Sequence, residues 1–312
     1  NNKPGVSTET RKEIIKAAEK YGYDFTKLSL KKNKAGDIYC IIYKSHNAIL
    51  KYTPIFSELT DGIGQACEKE GYHLKLMQMN EYIDNVQKWL EDIRVANCAG
   101  IILLGTEIGI NAAKGFASLP IPVVLLDTYF DAINCSSVLI NNKQGAYLAT
   151  NYLISRYNKQ PGHMCSSYRI ENFEARKNGF NKAVREHGMS TSKSITHELP
   201  PSIEGAFADM LEYINSGTPL AECYFADNDL IAIGAIKALK LRGYKIPEDI
   251  AIVGFDNIHE SHIIDPSLTT IDIPREFMGQ TAARQLIYQI SNPAAHPVTI
   301  EISTKIVKRF SA

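Results

Sequence analysis

Ile246-Pro247-Glu248-Asp249-Ile250-Ala251-Ile252-Val253-Gly254-Phe255-Asp256 is the stretch on which the fold turns. From Ile250 to Phe255 no polar side chain interrupts the run, and it stops on a carboxylate. Such a run reads as a strand, placed at Ala251–Phe255, that is buried on both faces. Strands of that kind belong to parallel sheets covered by helices above and below.

Working upstream, the same rhythm recurs. Strands are predicted at Cys223–Ala226 and His163–Ser167, with helices at Asp229–Leu241, Glu204–Ile214 and Phe173–His187. Before them lies an earlier series of strands at Ile38–Tyr43, His73–Met77, Gly100–Leu104, Val123–Asp127 and Ser137–Ile140. Its helices carry Phe56, Leu59, Ile63 and Cys67, then Ile83, Val86, Leu90 and Ile93, then Lys143–Tyr157. Two successive series predict an α/β fold of two doubly wound parallel-sheet lobes. In such sheets a ligand sits beyond the carboxyl ends of the strands. The useful residues are therefore expected where strands stop.

Composition agrees. The chain has 312 residues and 45% hydrophobic content, enough for two cores. No run of 18 apolar residues occurs, so no membrane span is predicted. The six cysteines are widely spaced and form no Cys-x-x-Cys; the reading is reduced core thiols in a cytoplasmic protein. Net charge is zero, but residues 1–34 carry nine Lys and Arg against four acids, a basic head on an acidic body. That asymmetry suits contact with a polyanion, and equally a solvated helix and tail.

Ordered segments then point to a family. Val6-Ser7-x-x-Thr10-Arg11-x-x-Ile14-x-x-Ala17-Ala18-x-x-x-Gly22-Tyr23 resembles the last helix of the DNA-binding head in the lactose-repressor (LacI/GalR) family. Gly71-Tyr72, Val138-x-x-Asn141-Asn142-x-x-Gly145-Ala146, Arg176-x-x-Gly179-Phe180, Asn228-Asp229-x-x-Ala232-x-Gly234-Ala235, the opening stretch, Leu268-Thr269-Thr270 and Met278-Gly279-x-x-Ala282 follow in the family's order. The resemblance implies a periplasmic-binding-protein-like body with three crossings between lobes. The first is expected near 158–162 and the return near 270–274. A last crossing leads to a final strand near 298–308. Residues 1–35 would be the remnant of a helix-turn-helix head and its connector. The N-lobe would be 36–160 plus 272–291, and the C-lobe 161–271 plus 292–312. The family's helix-turn-helix pair would precede residue 1, as in a truncated chain.

Candidate ligand residues follow from strand ends and from the resemblance. Asp256 should sit at the cleft rim, where a carboxylate accepts two hydrogen bonds from vicinal hydroxyls or a ring N–H. An open rim is solvated, so Asp256→Ala should cost affinity far more than stability; a helix cap would do the reverse. Arg176 offers a rigid fork of donors, or is a surface helix arginine. Asn228 and Asp229 follow a strand and either contact ligand or cap the next helix. Phe56 could stack on a sugar or base face, or be plain core. Asn141, Gln144 and Asp127 are further candidates at strand ends.

No cofactor or metal site is expected. His259 and His262 lack the i,i+4 spacing and a third ligand. Gly62-Ile63-Gly64 lies within a predicted helix, so it is no dinucleotide loop. No Gly-x-Ser-x-Gly elbow occurs, and no enzyme activity is expected. The reading is a ligand-responsive DNA-binding transcription regulator. Its expected partners are a sugar-like effector in the interlobe cleft, operator DNA, and a second copy in a homodimer. The alternative is a solute-binding protein of a sugar transporter.

Overall fold

The computed structural model describes residues 36–45 and 55–312. The head helix and basic connector inferred from the sequence lie outside those residues. The elements run β1 (Asp37–Lys44), α1 (Ile55–Lys69), β2 (His73–Asn80), α2 (Val86–Val95), β3 (Cys98–Leu104), α3 (Ile110–Ala117), β4 (Val123–Leu126) and β5 (Ser136–Ile140). Next come α4 (Asn142–Tyr157), β6 (Gly162–Ser166), α5 (Glu171–Glu186), β7 (Thr196–Leu199), α6 (Ile203–Asn215), β8 (Cys223–Ala226), α7 (Asp229–Leu241) and β9 (Ala251–Val253). The chain ends with α8 (Glu260–Ile263), β10 (Thr270–Asp272), α9 (Arg275–Ser291), β11 (Thr299–Ile302) and β12 (Lys305–Val307).

Two all-parallel sheets result. The first has order β11-β5-β4-β3-β1-β2 and the second β7-β6-β8-β9. Alternation along β1 shows why both faces of the first sheet are covered. Ile38, Cys40 and Ile42 pack with Leu59 and Ile63 of α1 and Met278 and Ala282 of α9. Tyr39, Ile41 and Tyr43 pack the other way, with Leu90 of α2 and Phe116 of α3. A Cβ on Gly279 would lie 2.1 Å from the Leu59 carbonyl oxygen, and one on Gly62 2.1 Å from that of Glu276. That backbone contact between α1 and α9 is the reason for the glycine at 62.

Two differences from the sequence reading concern lobe boundaries. The helix α4 packs on α5 and against β8: Ala146, Ala149 and Leu153 share a core with Phe180, Val184 and Phe225. The first crossing therefore falls at Ile140–Asn142, not at 158–162, and α4 belongs to the second lobe. An amphipathic pattern marks a helix without saying which sheet it covers. The strand expected at 298–308 is two strands. The first, β11, pairs in parallel with β5 at the edge of the first sheet; β12 pairs antiparallel with β10. The last crossing thus lies between Ile302 and Lys305, and 292–302 stays with the N-lobe rather than the C-lobe. The return crossing lies between Asp272 and Arg275.

Smaller differences have local causes. Asn85 caps α2, its side chain accepting from the Lys88 N–H, so Ile83 precedes the helix and is 81% exposed. The strand β7 was not expected; Thr196-His197-Glu198-Leu199 is a short edge strand whose buried positions are His197 and Leu199. Strand β9 ends at Val253, since Gly254 donates to the Thr269 carbonyl as the chain leaves the sheet. All six cysteines are free thiols, and burial pushes the Cys40 thiol up to about 12.

Candidate functional site

The carboxyl ends of both sheets meet at the crossings. There Asp127 follows β4, Asn141 and Asn142 follow β5, Asp227 and Asn228 follow β8, and Asp256 follows β9. A cavity of about 650 Å³ opens between the lobes, lined by 106–110, Asp127, Thr128 and Phe130 from the first and 167–172 from the second. At its wall Asp127 adopts φ 60°, a left-handed conformation that turns its carboxylate inward. One carboxylate oxygen accepts from the Thr106 hydroxyl at 2.6 Å, the other from the Asn172 amide at 3.1 Å. Because Asn172 belongs to α5, the second bond crosses from lobe to lobe.

Arg176 is one helical turn beyond Asn172 and 5% exposed. Its guanidinium lies 3.7 Å from the Phe255 ring centroid, a cation–π contact. Each of its three nitrogens has a partner: Nε donates to the Asn142 Oδ1 at 2.8 Å, Nη1 to the Asp227 carbonyl, and Nη2 pairs with the Asp256 carboxylate at 3.2 Å. Arginine suits this task because its donors are planar and divergent. Asp256 has φ 111° and is 6% exposed. Its backbone carbonyl accepts from Nη2 of Arg275, the first residue of α9, whose Nη1 lies 3.7 Å from Glu58. Burial pushes the Asp256 carboxyl above its ordinary range, against the opposing charges of Arg176 and Arg275. Asp127 is raised for the same reason, opposed first by its Thr106 hydrogen bond.

The structure thus corrects the open-rim picture of Asp256. The residue is a buried, paired carboxylate, and it caps no helix: α8 begins beyond it at Glu260. Asn228 and Asn141 take the capping role. Their side chains accept from Ile231 N–H at 2.9 Å and Gln144 N–H at 2.8 Å. Asp229 is fully buried and faces inward, accepting from the Thr270 hydroxyl at 2.5 Å and the Ile258 N–H at 3.0 Å. Desolvation, then the nearby Asp256 charge, pushes its carboxyl up to about 7. Gln144 ties the first crossing to the last. Its Nε2 donates to the Thr304 carbonyl at 3.2 Å, while its Oε1 accepts the Thr304 N–H at 3.0 Å and hydroxyl at 2.8 Å. Phe56 is the second residue of α1; its side chain lies outside the described residues.

So Arg176, Asp256 and Asp127 are brought together, and Asn228, Asp229, Asn141 and Gln144 serve the scaffold around them. Four participants escaped the sequence reading. Asn172 had a signal, lying i−4 from Arg176 on one helix face. Asn142 stood beside Asn141. Nothing in the pattern marked Arg275, or the buried Asp227, whose carboxylate meets His163 at 2.7 Å. Chemically, the cavity wall offers the Asp127 carboxylate and the Asn172 amide, with the Arg176–Asp256 pair buried outside the lining residues. That combination matches the alternating donors and acceptors of paired hydroxyl groups.

The chain resembles known proteins over most of its length. A family model described as a periplasmic binding protein-like domain matches residues 136–312. The ribose operon repressor of Halalkalibacterium halodurans is 30% identical over 311 residues, covering 99% of this chain and 90% of the relative. The HTH-type transcriptional repressor PurR of Pasteurella multocida is 29% identical, covering 98% and 90%. Among solved structures, a LacI family transcriptional regulator from Enterococcus faecium with bound ribose superposes with a TM-score of 0.74 at 26% identity, covering 88% of this chain and 98% of that one. The complex of the transcriptional regulator CelR with cellobiose shares the fold, with a TM-score of 0.80 at 22% identity over 99% and 92%.

Proposed function

The chain belongs to the lactose-repressor (LacI/GalR) family of transcription regulators, and we propose that it is a repressor whose effector is a small polyhydroxyl compound, an aldose of about ribose size. The observation carrying this reading is the Asn172–Asp127 bond, which joins the two lobes at the cavity wall, with the buried Arg176–Asp256 pair close by and Arg176 on the same helix as Asn172. A ligand there touches both lobes at once. Its binding energy differs between open and closed arrangements, and only such a difference can shift affinity at a remote DNA site. Relatives that match over nearly the full chain and are repressors favour this reading over a transporter's solute-binding protein. The repressor relatives also support a cytoplasmic, non-enzymatic role.

Operator DNA is assigned to the basic residues 1–34, which lie outside the described ones. A homodimer is supported by apolar side chains left exposed on both lobes, among them Ile83 and Val95 on the first and Ile263 and Phe310 on the second. These side chains are available to an association surface, and a palindromic operator calls for two-fold symmetry.

The test is a thermal-shift series with D-ribose, other aldoses, cellobiose and nucleobases. An aldose should raise the melting temperature in a concentration-dependent way. Stabilisation by a nucleobase and by no sugar would overturn the choice of effector.

A further inference from the structure

His163 is the second residue of β6 and Asp227 directly follows β8, its neighbour in the second sheet. Their side chains are 3% and 2% exposed, with Nε2 and Oδ1 2.7 Å apart. Every polar group of Asp227 is engaged. Its N–H donates to the Met164 carbonyl at 3.0 Å, and its second carboxylate oxygen accepts the Ser166 N–H at 2.8 Å. Its own carbonyl accepts from Nη1 of Arg176. The His163 ring stacks on Phe180 at 4.9 Å and on Phe225 at 5.6 Å. Phe180 lies four residues beyond Arg176 on α5, so the imidazole rests against the helix that carries the arginine.

A buried imidazole–carboxylate pair is a poor way to gain stability, because well-packed apolar side chains of similar volume serve as well or better. What such a pair supplies is direction. Its bonds hold the end of β8 against β6 and leave the Asp227 carbonyl facing Arg176.

We infer that His163 and Asp227 form a positioning pair for the effector site: together they fix the carbonyl that holds the Arg176 fork in register with Asp256. The inference rests on the reading of Arg176 as an effector contact. His163 touches no ligand and acts through Asp227 and Phe180.

The test uses the whole chain with His163→Phe, which keeps a ring between Phe180 and Phe225 but no donor, and His163→Gln, which restores an N–H at similar reach. Asp227→Asn is a second route to the same loss, with the backbone carbonyl kept. Two quantities are read: hydrogen exchange of the Arg176 side-chain N–H signals without effector, and calorimetric affinity for D-ribose. Phenylalanine or Asp227→Asn should speed Arg176 exchange, and phenylalanine should weaken ribose about three- to thirty-fold. Glutamine should bring both back towards wild type. Unchanged exchange in folded His163→Phe and Asp227→Asn, or glutamine no better than phenylalanine, overturns the inference. Should exchange respond as expected while Arg176→Ala binds ribose like wild type, the pair still positions Arg176, and the reading of the effector site is what fails.

Discussion

Arg176 and Asp256 meet at 3.2 Å with side chains 6% and 8% exposed, one from the helix α5 and the other from the end of β9. Removing one member of a buried pair leaves the other charge without compensation. Asp256→Ala should therefore lower the unfolding free energy by about 3 kcal/mol, even with no effector present. Urea denaturation measures this directly. A loss below about 0.5 kcal/mol would mean that Arg176 finds another partner or water at no cost.

Asp229 sets a pH dependence of known sign. Its carboxyl is raised from 3.8 to about 7 in the folded chain. The folded state thus binds the proton more tightly than the unfolded one. The associated stability is full below the unfolded value and is lost as pH rises through about 7. Asp229→Asn does not titrate, so the stability gap between wild type and variant should shift in the variant's favour between pH 4 and pH 8. Parallel curves across that range would refute the assignment.

The contact of α1 with α9 leaves no room at Gly279, where a Cβ would lie 2.1 Å from the Leu59 carbonyl oxygen. Gly279→Ala should force the helices apart and cost about 2 kcal/mol or more, visible as a drop in melting temperature. Gly188, where no atom lies within 4 Å, is a poor control because its φ is +71°. Gly109 is open and has no such φ, so Gly109→Ala should change little.

Gln144 bonds three times to Thr304 across two crossings. Gln144→Leu should cost about 1–3 kcal/mol, since it strands the polar groups of the buried Thr304. Equal melting temperatures for wild type and variant would show that the clamp contributes nothing.

Much of this architecture was legible in the residues. The uninterrupted run at 250–255 announced a buried parallel strand, which the structure ends at Val253, and the alternation of strands and helices announced two lobes. Lobe boundaries were less legible, because whether α4 covers the first or the second sheet depends on three-dimensional packing that its own pattern does not record. At the site, Asn228 and Asn141 illustrate a degeneracy: a side chain able to hold a ligand is equally able to cap a helix, and only the hydrogen bond to Ile231 or Gln144 decides. The pairing of Asp227 with His163 joins residues 64 positions apart, with no local signature at either. Burial of Asp256 was missed because Arg176 and Arg275 close over it from elements remote in sequence.

The most direct measurement of the central claim is the affinity of Asp256→Asn for the aldose that stabilises the wild type most, read by calorimetry beside its melting temperature. Asparagine preserves volume while removing the charge that accepts hydroxyl hydrogens and pairs with Arg176. A folded variant should bind at least about tenfold more weakly. Wild-type affinity in a folded Asp256→Asn protein would contradict the assignment of the effector to this cleft floor.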